Sequence, residues 1–189
     1  MEPSAGGGLA GRRVLLGVTG GIAAYKAVVL ARLLLKAGAE VQVVMTAAAT
    51  RFVGPDTFTA LTGRKARTDV FEEPERVLHV RLAHEADVAV VAPATANVIA
   101  RLAHGIADDA LTCIALALNS QARLLIAPAM NGKMWQHPAT QQNVTLLKSR
   151  GAQFTGPDAG MLSCGYEGVG RLEVVEQIAK RALELLAKS

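Results

Sequence analysis

The chain has 189 residues, a formal net charge of +4 and a hydrophobic content of 51%, of which aromatic residues supply only 4% of the chain. This length suits one domain with a full core, and the mixed placement of charges gives no basic stripe for nucleic acid and only a weak preference for an anionic ligand. The longest apolar run, near residues 110–118, is too short to cross a bilayer.

The chain begins with a glycine-rich stretch and then alternates strand-like and helix-like segments. We expect residues 1–11 to be a disordered tail without the apolar core of a signal peptide, followed by one domain over residues 12–189 in a cytoplasmic protein. Apolar runs predict strands at 14–18, 41–45, near 68–71, 87–92, 124–127 and 152–155. Helices are predicted at 22–37, as two pieces within 46–63, and at 79–87, 94–104, 108–118, 138–149 and 173–187. This alternation of apolar strands with helices predicts a doubly wound α/β fold with a parallel sheet.

The loop after the first predicted strand is rich in glycine. Gly20 and Gly21 join that strand to the first helix. Glycines let the backbone approach an anion, and the N–H groups at a helix N-terminus attract phosphate. The spacing differs from G-x-G-x-x-G, so a mononucleotide is favoured over a dinucleotide. Taken alone the signal is weak, because glycine at this position often serves packing only.

Two further loops place polar groups at the carboxyl ends of strands, where ligands collect in such folds. Thr46 ends the second predicted strand, and the loop Pro93-Ala94-Thr95-Ala96-Asn97 follows the strand at 87–92. Thr95 and Asn97 are candidates for ligand contacts. An ordinary helix cap by either residue is an equally good interpretation.

His79 has the most informative setting of the four histidines. Its spacing puts it on one helix face with Leu82, Ala83 and Ala86. A histidine there is usually a hydrogen-bonded packing residue, but beside an α/β pocket it is also the obvious general base. Both interpretations remain open.

The segment Pro128-Ala-Met-Asn-Gly-Lys-Met-Trp135 holds the only tryptophan and two of the five methionines. An apolar strand that breaks at a proline and delivers Asn131, two thioethers and an indole into one loop is typical of a small-molecule site. The alternative is that Met130 and Met134 fill gaps in the core while Trp135 covers them.

The two cysteines differ in their surroundings. Their spacing suits neither a disulfide framework nor a zinc site, so we predict no metal. Cys113 lies in an apolar helix-like run and is expected to pack as a small hydrophobe. Cys164 lies in the glycine-rich stretch 160–170, which we predict to be a mobile flap rather than a packed element. An incidental loop cysteine is the other interpretation of Cys164.

Taken in order, these motifs resemble those of the homo-oligomeric flavin-containing cysteine decarboxylases over residues 13–171. The resemblance rests on Gly20-Gly21-Ile22-Ala23, His79, Pro93-Ala94-Thr95-Ala96-Asn97, the Pro-x-Met-Asn-x-x-Met-Trp segment and Cys164-Gly-x-x-Gly-x-Gly-Arg171. The chain departs from the usual motifs at Thr95 and Val98, where serine and threonine are common, and at Leu172, where methionine is common. Thr95 keeps the hydroxyl.

The resemblance implies a flavodoxin-like unit, a Rossmann-like three-layer sandwich, that assembles as a homotrimer or dodecamer with FMN bound between subunits. It implies a carbon–carbon lyase of coenzyme A biosynthesis that decarboxylates 4′-phosphopantothenoylcysteine to 4′-phosphopantetheine. Thiol oxidation to a thioaldehyde precedes decarboxylation, and re-reduction follows it. The implied partners are the phosphorylated substrate, further copies of the chain and a phosphopantothenate-cysteine ligase, without nucleic acid or membrane.

The resemblance also implies roles for single residues. His79 would act as a base or electrostatic partner, Asn131 would hold the substrate carboxylate, and Cys164 would donate a proton in the reductive step. Further substrate contacts would come from Met130, Met134 and Arg171. The implied FMN contacts are Gly20, Gly21, Ile22, Thr46, Pro93, Thr95 and Asn97.

Three other functions share parts of this pattern. A peptidyl-cysteine decarboxylase of the lantibiotic type stops at the enethiol and is expected to lack the Cys164 flap. A flavin prenyltransferase shares the glycine-rich start but is not expected to carry the segment at residues 128–135. A non-catalytic flavin-binding regulatory subunit would keep the fold without turnover, but intact His79, Asn131 and Cys164 favour an enzyme.

Overall fold

The structure is a computed structural model that describes residues 11–72, 77–161, 165 and 167–188. The predictions for the N-terminal tail, apart from Gly11, and for Cys164 lie outside the described residues. Among the residues described, no helix combines the length and apolar character needed to cross a lipid bilayer.

A five-stranded parallel sheet forms the centre of the domain. Its strands are β1 (Arg13–Val18), β2 (Glu40–Met45), β3 (Val88–Ala94), β4 (Arg123–Pro128) and β5 (Gln153–Phe154). They lie in the order β2-β1-β3-β4-β5, so the chain starts inside the sheet, moves to one edge and returns past its own first strand. This order confirms the predicted doubly wound, flavodoxin-like α/β fold.

Eight α-helices in the described part cover the two faces of the sheet. They are α1 (Lys26–Lys36), α2 (Pro55–Thr62), α3 (Leu78–Glu85), α4 (Ala96–His104), α5 (Ala110–Leu116), α6 (Gly132–Gln136), α7 (Pro138–Ser149) and α8 (Val175–Leu186). One core cluster joins a sheet face to α1, α2 and α8, and the second joins the opposite face to α3, α4, α5 and α7. Successive β1 residues pack in different clusters, Leu15 in the second and Leu16 in the first, which explains why the central strands are mostly apolar.

The first predicted helix begins differently from the expectation. A single helix over residues 22–37 is predicted, but Ile22–Tyr25 form a 3-10 turn and the α-helix starts at Lys26. Gly21 has an extended backbone, and its carbonyl accepts a hydrogen bond from the Ala24 N–H at 2.9 Å. A hydrogen bond between residues three apart is the 3-10 pattern, which is frequent at the start of α-helices.

The strand predicted near residues 68–71 is wrong. Arg67 forms an isolated bridge with Val44, and the following residues turn around the carboxylate of Glu72. That carboxylate accepts hydrogen bonds from the backbone N–H groups of Thr68 at 2.9 Å and Asp69 at 3.2 Å. These two N–H groups therefore bond to a side chain instead of to a neighbouring strand.

The glycine-rich stretch also departs from its prediction. Strands β6 (Asp158–Met161) and β7 (Glu167–Arg171) form an antiparallel pair, so the expectation of no packed element is wrong for the described residues. Gly160 and Gly170 have φ angles of +149° and +157°, which only glycine adopts readily. The glycines thus make the hairpin possible, whereas their frequency in the sequence indicated a loop.

Candidate functional site

The carboxyl ends of the central strands open into a cavity of about 980 Å³. Residues after β1, β2, β3 and β4 line it, and the β6–β7 hairpin contributes Met161, Gly170 and Arg171. Its size falls within the range of small-molecule and cofactor sites.

This cavity brings together nearly all the residues that the sequence singles out. The predicted cofactor and substrate contacts that line it are Gly20, Gly21, Ile22, Thr46, Pro93, Thr95, Asn97, Met130, Asn131, Met134 and Arg171. His79 does not line it, and Cys164 lies outside the described residues. Motifs separated by more than 100 residues in the sequence therefore converge at one edge of the sheet.

The two glycines of the first loop have different surroundings. A Cβ on Gly20 would lie 2.4 Å from the Cβ of Ala48, so this glycine is required by packing between the first loop and the loop after β2. A Cβ on Gly21 would have its nearest contact, Thr95 Cγ2, at 3.9 Å. Packing therefore explains Gly20, and the space around Gly21 opens toward the cavity.

The hydroxyls of the second and third loops act as caps within the protein. Thr95 Oγ1 accepts a hydrogen bond from the Val98 N–H at 3.3 Å at the start of α4. Thr46 Oγ1 accepts one from the Ala49 N–H at 3.3 Å. The cap interpretation is thus observed for Thr95, while Asn97 is exposed at the cavity. The ligand contacts of these side chains stay predictions.

Sequence analysis missed Thr19, which also lines the cavity. This side chain is 1% exposed. Its Oγ1 donates a hydrogen bond to the Pro93 carbonyl at 2.7 Å and accepts one from the Thr95 N–H at 3.1 Å. The available signal was a hydroxyl residue between an apolar strand and the glycine pair.

Asn131 begins the short helix α6, which lies within the segment predicted as a loop. Its Oδ1 accepts a hydrogen bond from the Lys133 N–H at 2.9 Å. Met134 is half exposed and lines the cavity, whereas Trp135 packs against the second core cluster. Met130 does both. The core-filling interpretation therefore applies to Met130 and Trp135 but not to Met134.

The hairpin packs directly on this segment. The Met130 N–H donates a hydrogen bond of 2.9 Å to the Gly170 carbonyl. A Cβ on Gly170 would lie 2.3 Å from the Met130 carbonyl oxygen, so no other residue permits this approach. The guanidinium of the neighbouring Arg171 lies 3.9 Å from the Asp158 carboxylate, and this side chain remains half exposed at the cavity.

Charged side chains line the cavity with both signs. Arg101, which the sequence did not single out, forms ion pairs with Asp108 at 2.9 Å and Asp109 at 3.1 Å.

Burial and the nearby Asp109 and Asp108 carboxylates raise the pKa of the Cys113 thiol. Cys113 is half-buried and its thiol donates to the Ala107 carbonyl at 3.4 Å, so it is less enclosed than the predicted packed hydrophobe.

His79 lies on α3, away from the cavity lining. Its side chain is half-buried, and its Nδ1 is buried without a hydrogen-bond partner among the residues described. The lining as described contains no histidine. The prediction placed His79 correctly on a helix, α3, but it did not show that the imidazole lies outside the lining of this cavity.

The chain is similar to known proteins over most of its length. A family model described as Flavoprotein matches residues 4–187. The coenzyme A biosynthesis bifunctional protein CoaBC of Bacillus subtilis (strain 168) is 51% identical over 173 residues, which cover 90% of this chain and 42% of that protein. The chain thus spans less than half the length of this curated relative.

Two solved structures extend the comparison. The FMN-dependent cysteine decarboxylase SpaF is 36% identical, with a TM-score of 0.80 and coverage of 94% of this chain and 99% of that one. A cysteine-to-serine variant of PPC decarboxylase complexed with pantothenoylaminoethenethiol is 30% identical, with a TM-score of 0.83 and the same coverage.

Proposed function

The chain belongs to the flavoprotein family, and we propose that it binds FMN in the cavity and decarboxylates 4′-phosphopantothenoylcysteine to 4′-phosphopantetheine in coenzyme A biosynthesis. The observation that carries this proposal is the convergence of the predicted cofactor and substrate contacts on one cavity. The relatives named for coenzyme A biosynthesis and for PPC decarboxylase support the choice of substrate.

The residues at the first three loops fit a flavin mononucleotide. Gly21 leaves space beside the start of the 3-10 turn, where backbone N–H groups suit a phosphate. Thr46, Thr95 and Asn97 add hydroxyl and amide groups for the polar parts of the cofactor. When bound, FMN would supply the electron sink that a cysteinyl carboxylate lacks for loss of CO2.

The substrate end of the cavity is formed by the segment at residues 128–135 and the hairpin. Asn131 would hold the substrate carboxylate through its amide, because the residue lines the cavity and an amide nitrogen donates hydrogen bonds. Met130 and Met134 would form an apolar wall beside the reacting carbons. Arg171, half exposed at the cavity, would attract the anionic substrate.

We propose that His79 completes the site of a neighbouring copy within a homotrimer, or a dodecamer of such trimers. The buried Nδ1 of His79 has no partner within the described chain, and no described histidine lines its own cavity. Exposed apolar side chains flank both places: Val77 and Val80 beside His79, and Ile22 and Tyr25 beside the cavity. Such apolar faces are suited to burial between subunits.

The proposed chemistry assigns a separate step to Cys164. His79 would exchange a proton during oxidation and decarboxylation. Cys164 would protonate the enethiol carbon, and the hydride that completes the saturated product would be the one taken up by the flavin in the oxidation step, so that no net redox change remains. The curated relative is bifunctional and longer, so we also propose a phosphopantothenate-cysteine ligase as partner, in the cytoplasm.

The test combines a spectrum with a product analysis. Purified protein should show a bound-flavin absorption band and release CO2 from 4′-phosphopantothenoylcysteine, giving a fully saturated product. Cys164→Ser should decarboxylate but stop at an enethiol that is two hydrogens lighter, because a serine hydroxyl is a much weaker acid than a thiol of pKa about 8.5. A colourless protein that takes up no FMN would refute the proposal.

A decarboxylase of another cysteine substrate, such as a peptidyl cysteine, is the second candidate, because the chain is also 36% identical to the FMN-dependent cysteine decarboxylase SpaF. A peptide that ends in cysteine serves as the competing substrate in the same assay. Faster CO2 release from the peptide, with an enethiol product from the unmodified protein, would favour this candidate. Saturated product from Cys164→Ser at the normal rate would make the cysteine a bystander.

A further inference from the structure

Thr19 lies between two of the loops that line the cavity, and we infer that it is a positioning residue that fixes their separation. The inference rests on the proposed function, since both loops are proposed to contact FMN. Thr19 directly follows β1, and its side chain is 1% exposed. Among the described residues, the polar or charged ones that are buried are Thr19, Thr112 and Thr140.

The hydroxyl of Thr19 connects backbone groups that the sheet does not pair. The register between β1 and β3 ends at Gly17 and Val91. Beyond that point Thr19 Oγ1 donates to the Pro93 carbonyl at 2.7 Å and accepts from the Thr95 N–H at 3.1 Å. A hydroxyl has a single donor, and here that donor is used within the protein. Thr19 therefore acts on a ligand through the two loops rather than by donating to it.

The loops that Thr19 connects face each other across a short distance. Thr95 directly precedes α4 and caps it through the Val98 N–H, and its Cγ2 is the atom nearest to a Cβ built on Gly21. The Thr19 hydroxyl thus sets the gap between the glycine pair and the start of α4. Loops that are already in their bound arrangement bind a ligand more tightly, because less ordering accompanies binding.

Thr19→Val tests this inference because valine has a similar shape but no hydroxyl. The change leaves the buried Pro93 carbonyl and the partly buried Thr95 N–H without the hydroxyl that they bond to, which favours rearrangement of the loops. We expect the Kd for FMN, measured by quenching of flavin fluorescence, to rise at least about tenfold, equivalent to about 1.4 kcal/mol. Thr19→Ser restores the hydroxyl and should bind FMN within about threefold of the unmodified protein.

Two further measurements separate positioning from general stability. The visible circular dichroism of bound FMN should change in Thr19→Val and return in Thr19→Ser. Thr140→Val is the matched control, because Thr140 is also buried but lies on α7 and does not line the cavity. The control should bind FMN with the affinity of the unmodified protein even if its Tm is lower.

Each outcome has a distinct meaning. Failure of the unmodified protein to bind FMN overturns the proposed function and this inference together. FMN binding by the unmodified protein and by Thr19→Val with the same Kd overturns this inference alone, whatever the Tm of the variant. If Thr19→Val does not fold, Thr19→Cys replaces it, because a thiol is a weak donor and acceptor. Equal FMN affinity in Thr19→Cys would then overturn the inference.

Discussion

Replacing Glu72 by glutamine should destabilise the protein in a pH-dependent way. The Glu72 carboxylate accepts three hydrogen bonds at its Oε1, from the Thr68 N–H and hydroxyl and from the Asp69 N–H, and its Oε2 pairs with Lys65 at 3.0 Å and Arg67 at 3.4 Å. Burial alone would raise the pKa of Glu72, but these hydrogen bonds outweigh it and lower the pKa from 4.5 to about 2. The side chain is only 13% exposed, so solvent screens these interactions weakly.

The size of the effect follows from the difference in proton affinity between the folded and unfolded states. Each unit of difference between the folded and unfolded pKa corresponds to about 1.4 kcal/mol. Ionised Glu72 therefore stabilises the fold by roughly 3 kcal/mol at pH 7. Because the folded-state pKa lies below the unfolded one, this stabilisation is fully present above the unfolded value of 4.5 and is lost as pH falls through about 2. At pH 3 about 1.4 kcal/mol should remain.

Urea unfolding monitored by circular dichroism measures this effect. The unmodified protein and Glu72→Gln are compared at pH 7, 5, 4 and 3 at one protein concentration, and the difference in unfolding free energy should shrink as pH falls. Glu176→Gln is the control, because Glu176 is exposed in the first turn of α8, where its interaction with the helix dipole limits the effect to about 0.3–1 kcal/mol. A difference for Glu72→Gln that is constant from pH 7 to pH 3 would refute the low pKa.

Three further predictions concern the site. Gly170→Ala should lower the free energy of unfolding by about 1–3 kcal/mol, seen as a lower Tm, because its Cβ would overlap the Met130 carbonyl at a φ of +157°. Gly54→Ala is the control: the space around Gly54 is open, so Tm should change little. His79→Asn should keep FMN and the assembly but lose at least about 10²-fold in turnover, and near-normal CO2 release would remove it from the mechanism. Asn131→Asp should turn over more slowly than Asn131→Ala, because aspartate can keep the helix cap but repels the substrate carboxylate; equal rates would rule out that contact, whose loss costs on the order of 10²-fold.

The elements that the sequence predicts well carry their signal locally. Helix α7 has the predicted bounds of residues 138–149, because Pro138 suits the first helical position and Gly151, just beyond the helix, adopts a φ of +93°. The central strands are continuous apolar runs, so their positions were predicted to within two residues at each end. The cavity loops follow from these strands, because parallel strands place their carboxyl ends at one edge of the sheet.

The features that the sequence does not predict depend on distant partners. The β6–β7 hairpin needs Gly170 to approach Met130, a contact between residues 40 positions apart that no local pattern encodes. Thr19 likewise depends on distant partners, because its hydroxyl bonds to the Pro93 carbonyl near the end of β3 and to the Thr95 N–H just after that strand. His79 shows the limit of helix periodicity, which places a side chain on a face but does not identify what that face contacts.

The packing of Trp135 gives the protein a built-in optical probe. It is the only tryptophan in the chain, and it lies in α6 one turn after Asn131, against the core rather than in the cavity lining. Its ultraviolet emission overlaps the absorption of an oxidised flavin, so energy transfer to a ligand in the adjoining cavity should quench it. Bleaching of the flavin on reduction should restore part of that emission, which would follow the cofactor's redox state during turnover without any added label.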